Sequence, residues 1–446
     1  MPDLRVAVDA GGTFTDVCIY NASTQAFRVT KVPSTPNNPM QAVINGVKRG
    51  EIELSNVDLF FHGTTVATNA LITRRFPKAS LVTTKGFRDV IEIRDGTKDN
   101  LWDAYADVSG PYIRRRDRFE VTERVDYAGE IVTPLDEDEA RALARKLKRR
   151  GTTTIAVCFM NSYANAKNEQ RMREILEEEL PEANVSTSSE ILPEIFEHDR
   201  FNTAVANTVL SDYVKQLDDE LSAGGYANDL LLLHSGGGSM TPAMAKHFPV
   251  RLAASGIAAG AIAAKHIAEQ CGYQNAVGLD MGGTSTDISL IHDGELRVTK
   301  QWGVEYGHPI VFPSIEVLTI GAGGGSLAHI DIAGALRNGP QSAGADPGPA
   351  CYERGGEEPT NTDANLALNR LGTSLAGGAL ELNREQASSV IRSKIGEPLA
   401  LETADAAQAI LKVANANMAD AVRLISIRRG YDPRDFALVA FGGAGA

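Results

Sequence analysis

The chain has 446 residues, 43% of them hydrophobic and 23% charged, with 42 glycines. That length is about three times that of a usual domain, so two or three separately cored lobes are expected. The formal net charge of −13 argues against a nucleic-acid partner, because phosphate backbones are held by clustered Lys and Arg. The one dense basic run, Arg114-Arg115-Arg116-Asp117-Arg118, is expected to pair with the acidic stretch 120–130 beside it.

The four cysteines, Cys18, Cys158, Cys271 and Cys351, have no metal-ligand spacing. This favours a reducing, cytoplasmic setting, with Cys18 and Cys158 as small core residues. Residues 1–8 carry no apolar signal core. Residues 252–267 are apolar but shorter than a membrane span and read as a buried helix, so no membrane partner is expected.

In chain order, residues 8–17 (VDAGGTFTDV) read as a strand, a glycine turn and a second strand, with Arg28-Val29-Thr30-Lys31 forming a third. Residues 136–150 place acids first, bases last and apolar residues at helical spacing, and Gly151 ends that helix before a strand over 153–160. A helix over 165–180 stops at Pro181, a short strand follows near Val185, and residues 193–223 form a long amphipathic stretch. The apolar run 229–234 enters the turn Ser235-Gly236-Gly237-Gly238, which could meet a ligand. Helices alternating with strands imply parallel sheets with crossover helices. The boundary is set near residue 190, giving a lobe over 1–190 and another over 191–446.

The first motif then returns. Residues 279–288 (LDMGGTSTDI) repeat the glycine turn and its flanking strands, and Arg297-Val298-Thr299-Lys300 repeats the third strand. A strand over 315–320 leads into Gly321–Ser326. Residues 339–351 (GPQSAGADPGPAC) hold too much Pro and Gly for any regular element and read as an ordered functional loop. A helix over 404–429 precedes a buried strand, 436–441, that ends in Gly442-Gly443-Ala444-Gly445-Ala446. The chain stops where a helix should begin, which reads as a fragment of a longer protein.

The chemistry of D-x-G-G-T-x-T-D is specific. Its first Asp ends a strand and can present a carboxylate to a metal-bound phosphate. The two glycines let backbone N–H groups close on phosphate oxygens, and the threonine hydroxyls add donors. One copy alone would be an ordinary Asp-Gly hairpin. Two copies with six of eight positions identical, each with trailing strands, are not explained by hairpin preference. They resemble the phosphate-1 and phosphate-2 loops of the actin-like ATPase superfamily, and residues 436–446 resemble its adenosine motif.

The resemblance implies an α/β chain with a duplicated actin-like, sugar-kinase-like ATPase fold, two lobes around a nucleotide cleft. ATP and Mg²⁺ are the implied cofactors. Asp9 and Asp280 are assigned to Mg²⁺ and its waters, with Asp280 also polarising the attacking oxygen. Gly11, Gly12, Thr13, Gly282, Gly283 and Thr284 are assigned to the phosphates, and Gly442 and Gly443 to the nucleoside. Gly323 and Gly324 either cradle phosphate or allow close backbone approach to the nucleotide. His62 either contacts substrate or phosphate or is a hydrogen-bonded loop residue. Asp16 and Asp287 are expected to cap the hairpin turns through backbone N–H groups. His198 and Asp199 are expected to serve packing and ion pairing, and Cys351 to be a buried thiol.

The two loops, together with His62-Gly63-Thr64-Thr65-Val66-Ala67-Thr68-Asn69-Ala70, residues 320–326, 339–352, Thr362-Asp363-Ala364-Asn365 and 441–445, are similar to the hydantoinase A/5-oxoprolinase family over essentially the whole chain. Residues 96–103 and 112–118 look more like that family's acetone-carboxylase branch. Ile257 and Asn361 depart from its usual pattern. The resemblance implies ATP-dependent activation of a cyclic amide, such as a hydantoin or 5-oxoproline, for hydrolytic ring opening. The chain would be the A-type subunit of an oligomeric enzyme whose hydantoinase B-type subunit supplies a metal site. A beta-type subunit of an acetone- or acetophenone-like carboxylase, a stand-alone small-molecule kinase and a non-catalytic ATPase switch or activator remain alternatives.

Overall fold

The computed structural model describes residues 4–11, 14–35, 39–64, 66–74, 76–96, 98, 100–105, 108–210, 219, 221–228, 230–303, 306–375, 378 and 380–445. The chain divides into two compact units. One is Met1–Gly256 with Val298–Ser314, the other Ile257–Arg297 with Ile315–Ala446.

The first unit opens on the expected hairpin. Strands β1 (Leu4–Ala10), β2 (Phe14–Asn21) and β3 (Ala26–Pro33) are antiparallel neighbours, and Asp9 lies opposite Asp16. Helix α1 (Pro39–Arg49) follows. Strand β4 (Val57–Thr64) then pairs parallel to β1 on its other side, with Asp9 level with Gly63, and runs into helix α2 (Val66–Thr73). Alternation along β1 sends Val6 and Val8 into the core with Val17, Ile19 and Phe60, and leaves Asp9 exposed.

A second sheet takes β5 (Ala79–Thr84), followed by α3 (Val90–Ile93), and β6 (Arg118–Val121). After the small ribbon β7 (Arg124–Val125) and β8 (Ile131–Thr133) comes α4 (Glu137–Arg149), whose features match those read from the sequence. Asp136 caps it by accepting from Glu139 N, and Ala140, Leu143, Ala144 and Leu147 form its buried stripe. Strand β9 (Thr154–Cys158), helix α5 (Lys167–Glu179), strand β10 (Asn184–Thr187), the short α6 (Ser188–Ile191) and α7 (Glu197–Val209) complete this layer. The order is β10-β9-β5-β6, all parallel, as the alternation of helices and strands required. The chain then returns to the first sheet with β11 (Leu230–Leu233), parallel to β4, and β12 (Ser239–Met240).

The second unit is built around the repeat. Helix α8 (Ser255–Gln270) buries Ala258, Ala261, Ala264 and Ala268 on one face. Strands β13 (Ala276–Met281) and β14 (Thr286–His292) form the second hairpin, with Asp280 opposite Asp287 as Asp9 is opposite Asp16. The repeat breaks at its third strand. After the stub β15 (Glu295–Leu296), residues 298–300 do not extend the hairpin sheet. They lie in β16 (Val298–Trp302), which pairs with β17 (Ile310–Ile315), and residues 298–314 belong to the first unit. The place beside β14 is taken instead by β18 (Val317–Ile320).

Residues 339–342, expected as irregular loop, continue the strand pair β19 (Ser326–Ile330) and β20 (Leu336–Ser342). The capped helix α9 (Asn361–Ala367), the short pair β21 (Ser374–Leu375) and β22 (Leu380–Glu381) and the long α10 (Thr403–Ile425) lead to β23 (Ala437–Phe441). Strand β23 pairs parallel to β13 with Phe441 level with Asp280, so each unit flanks its glycine hairpin with one parallel strand. Contrary to expectation β23 is not buried, and Leu438 is 62% exposed.

Candidate functional site

In the second unit the segments expected to carry chemistry converge. Asp280 ends β13, and its half-buried carboxylate is confined by glycines on two sides. A Cβ on Gly260 of α8 would stand 3.3 Å from Asp280 Oδ2, and one on Gly442 would stand 2.3 Å from Oδ1. Gly442 also has φ of +90°, a conformation that side-chain-bearing residues rarely adopt. The turn after Asp280 closes through Gly282 N to Ser285 O at 2.9 Å, and Ala444 N donates to Met281 O at 2.9 Å, tying the terminal glycine loop to the same strand end.

The 321–326 loop lies under that turn. Gly324 N donates to Gly282 O at 2.9 Å and Gly325 N to Gly283 O at 2.7 Å. A Cβ on Gly323 would fall 2.6 Å from Thr284 backbone atoms. Gly323 and Gly324 are buried, whereas Gly283, Thr284, Gly442 and Gly443 are exposed. The two sets therefore divide into a supporting layer and an accessible rim. Sequence reading missed the clamp beneath them. Asn361 Nδ2 donates to Gly323 O at 2.8 Å, and Thr362 Oγ1 donates to Gly324 O at 2.9 Å. Asn361, the departure from the family pattern, is a fastening of this loop.

Burial, reinforced by nearby Asp287, pushes the Asp280 carboxyl up from 3.8 to about 6. Burial also raises Asp287, opposed by its hydrogen bond from Thr319 Oγ1 at 2.5 Å. Because folded Asp280 holds its proton more tightly than the unfolded chain does, its favourable contribution is present below about pH 4 and is lost as pH rises through about 6. Without nucleotide and metal, an Asp280→Asn variant should therefore melt above the parent chain near neutral pH, with the gap closing in acid. Melting curves across that range test this, and a pH-independent gap overturns it.

The first unit carries the same arrangement in outline. Asp9 ends β1, and a Cβ on Gly63 would stand 3.5 Å from Asp9 Oδ1. Ser34 Oγ donates to Gly11 O at 2.7 Å and bonds Thr15 Oγ1 at 3.0 Å. Gly12 and Thr13 lie outside the described residues. Thr15, like Thr286 in the other copy, is fully buried. Thr286 Oγ1 donates to Ala322 O. The second threonine of each motif thus fastens the turn rather than offering a donor to a ligand. Asp16 and Asp287 do not cap their turns through backbone N–H groups. They reach the third strand, Asp16 Oδ2 to Lys31 Nζ at 3.0 Å and Asp287 to Thr319.

His62 lies within β4, between β1 and β11, and is fully buried. Burial lowers its pKa to about 4, so it is neutral near physiological pH. The 235–238 turn packs on its own histidine: a Cβ on Gly238 would fall 2.7 Å from His234 Nε2. His198 and Asp199 approach to 3.7 Å, but burial lowers the histidine's pKa and raises that of the carboxyl, which works against the expected ion pair. Cys351 and Cys158 are buried, and burial raises both thiols, but Cys18 is only partly buried. The basic run pairs elsewhere than expected. Arg115 and Arg118 meet Asp89, and Arg118 also meets Glu92. Among the described residues no cluster of three or more His, Cys, Asp or Glu could hold a metal, and no helix is long and apolar enough to cross a membrane.

A repeated α/β unit with a strand-end aspartate over a glycine turn, in the second copy backed by two further glycine loops, is an ATPase-like construction. The sequence matches the family described as hydantoinase/oxoprolinase over residues 200–446, and that family's N-terminal region over residues 5–180. The chain belongs to the hydantoinase/oxoprolinase family. The expected boundary near residue 190 falls between the two matches, whereas the compact units exchange chain at 256, 297 and 314.

The chain is 38% identical to caprolactamase subunit alpha of Pseudomonas jessenii, across 99% of this chain and 65% of that one. It is 35% identical to the acetophenone carboxylase gamma subunit of Aromatoleum aromaticum, across 99% and 63%. The solved structure of the ATP-dependent caprolactamase from Pseudomonas jessenii matches with a TM-score of 0.85 at 37% identity, covering 98% of this chain and 65% of that one. The chain thus spans about two thirds of the length of these relatives.

Proposed function

We propose that this chain is the ATP-handling, A-type subunit of an enzyme that activates a cyclic amide for hydrolytic ring opening, working with a B-type partner in the cytoplasm. The observation that carries this reading is Asp280, a strand-end carboxylate with a raised pKa, held among the glycine loops 282–284 and 442–445 over the buried support 323–325. The relatives named as lactamase and carboxylase subunits supply the class of chemistry.

The donor set suits a magnesium nucleotide. Asp280 would hold the cation through its waters, because a carboxylate that burial has disfavoured as an anion gains most from a nearby dication, and the repeat assigns the same role to Asp9, exposed at the matching place of the other copy. Backbone N–H groups of the exposed turn at Gly283 and Thr284 would face phosphate oxygens, and Gly442 and Gly443 the nucleoside. Bound ATP supplies the γ-phosphoryl group that makes a leaving group of the amide oxygen, with ADP released. Asp280 would orient that transfer. Catalysis of this kind is mainly positioning and charge compensation. His62, buried and neutral in β4 beside β1 and level with Val8, would serve the site only through packing in this sheet. Water addition and ring C–N cleavage are assigned to the complete enzyme with its partner.

A ketone carboxylase subunit is the second reading, favoured by the identity to the acetophenone carboxylase gamma subunit. The test is turnover by the full-length protein, alone and with its B-type partner, on caprolactam, hydantoin and 5-oxoproline, and on acetophenone with bicarbonate. ATP-dependent ring opening only with the partner is expected. Ketone carboxylation alone would move the assignment to the second reading. Full amide hydrolysis by the chain without ATP or partner would overturn both.

A further inference from the structure

Helix α4 carries bases on two faces, and the structure treats them differently. Toward α5 they are neutralised or bonded: Arg141 meets Glu178 at 2.7 Å, Arg145 meets Glu179 at 3.3 Å, and Lys148 Nζ donates to Glu179 O at 3.0 Å. On the other side lies a hollow of about 450 Å³ between α4 and β6, and into it come Lys146 and Arg149 from the helix and Lys85 and Arg88 from the segment after β5. Lys85, Lys146 and Arg149 have no carboxylate within 4 Å among the described residues.

The hollow's two acids are already engaged by backbone. Glu120 Oε1 accepts from Gly86 N at 2.7 Å, and Glu139 Oε2 from Thr122 N at 2.8 Å. Arg88 approaches Glu120 only to 3.9 Å. Buried Arg118 is spent on Asp89, Glu92 and Ile113 O. Phe119 also lines the hollow, with Lys146 Nζ 5.0 Å from its ring centroid. The helix C-terminus explains bases on α4, but not Lys85 and Arg88, which belong to another element and line the same space. In a chain of net charge −13, Lys85, Lys146 and Arg149, added to the ion-paired Arg88, outnumber the two carboxylates of the hollow and leave a local positive excess.

We propose that the groove between β6 and α4 is an anion site for a small phosphate-bearing molecule of two or more negative charges, distinct from the glycine loops. Lys85, Lys146 and Arg149 provide the donors and Phe119 the floor. The volume suits a small ligand, and uncommitted ammonium and guanidinium groups give the charge-assisted hydrogen bonds phosphate favours.

The experiment is calorimetric titration of the full chain with inorganic pyrophosphate in the absence of divalent cations, at low and moderate salt. The parent chain, a Lys146→Gln/Arg149→Gln variant and an Asp280→Asn variant are compared, with melting curves for each. We expect the parent and Asp280→Asn to bind alike, and the double variant to bind at least about tenfold more weakly while still melting cooperatively, at a temperature lowered slightly by the loss of two bases from the last turn of α4. Equal binding by the double variant, or binding strengthened in Asp280→Asn by removal of the repelling carboxylate, would assign pyrophosphate to the glycine loops and overturn the proposal. So would absence of binding to the parent chain at millimolar concentration, or binding of an acidic peptide in its place. The groove can fail while the ATP reading stands, and the reverse, because the two variants report on different residues.

Discussion

Replacing Asp280 by alanine should cut ATP turnover of the complete enzyme by about 10²-fold or more, the usual cost of losing one preorganised electrostatic contact. The fold should survive. Asp280 is half-buried, and burial pushes its carboxyl up to about 6, so removing it takes away an unfavourable charge at neutral pH rather than a stabilising one. Turnover and melting temperature must be read together. A well-folded variant with near-parental turnover would refute the assignment of phosphoryl transfer to this loop.

Gly442→Ala should damage both stability and nucleotide binding. The new Cβ would sit 2.3 Å from Asp280 Oδ1 and 2.5 Å from Met281 O, at φ of +90°. The conformational strain alone is on the order of 1–3 kcal/mol, which corresponds to a melting shift on the order of 5 °C. The clash with Met281 O cannot be relieved by a rotamer change, so the loop must leave the end of β13. Gly283→Ala is the control, because nothing lies within 4 Å of a Cβ there, and its melting temperature should match the parent. If Gly442→Ala melts and binds ATP like the parent, the terminal loop is not held as described.

Much of this was legible because the signals were local. The strands that flank both D-x-G-G-T-x-T-D motifs pair as expected, and Asp136, the acidic first turn and the basic last turn of α4 specify that helix without tertiary help. What was not legible depended on partners distant in sequence. Residues 297–300 repeat residues 28–31, and both make strands, but pattern does not choose the neighbour, and β16 pairs with β17. His62 resembles a loop residue by its glycine and threonine neighbours, yet β4 has parallel partners on both sides, which buries it. The basic run met Asp89 and Glu92 rather than the acids beside it because α3 comes to lie against it. The clamp by Asn361 and Thr362 spans 38 residues and leaves no periodic trace.

The strand pair 298–314 has a practical consequence for dissection. The polypeptide passes from one compact unit to the other three times, after 256, 297 and 314. A cut that follows the family boundary between 180 and 200 would separate β11 and β12 from the sheet they complete and strand them on the wrong piece. Even a cut after 256 would leave 298–314 as an orphan insert in the C-terminal half. Neither unit is a continuous stretch of sequence, so reconstitution should succeed only from halves that reassociate, and protease nicking at one crossing should yield fragments that stay together until denatured.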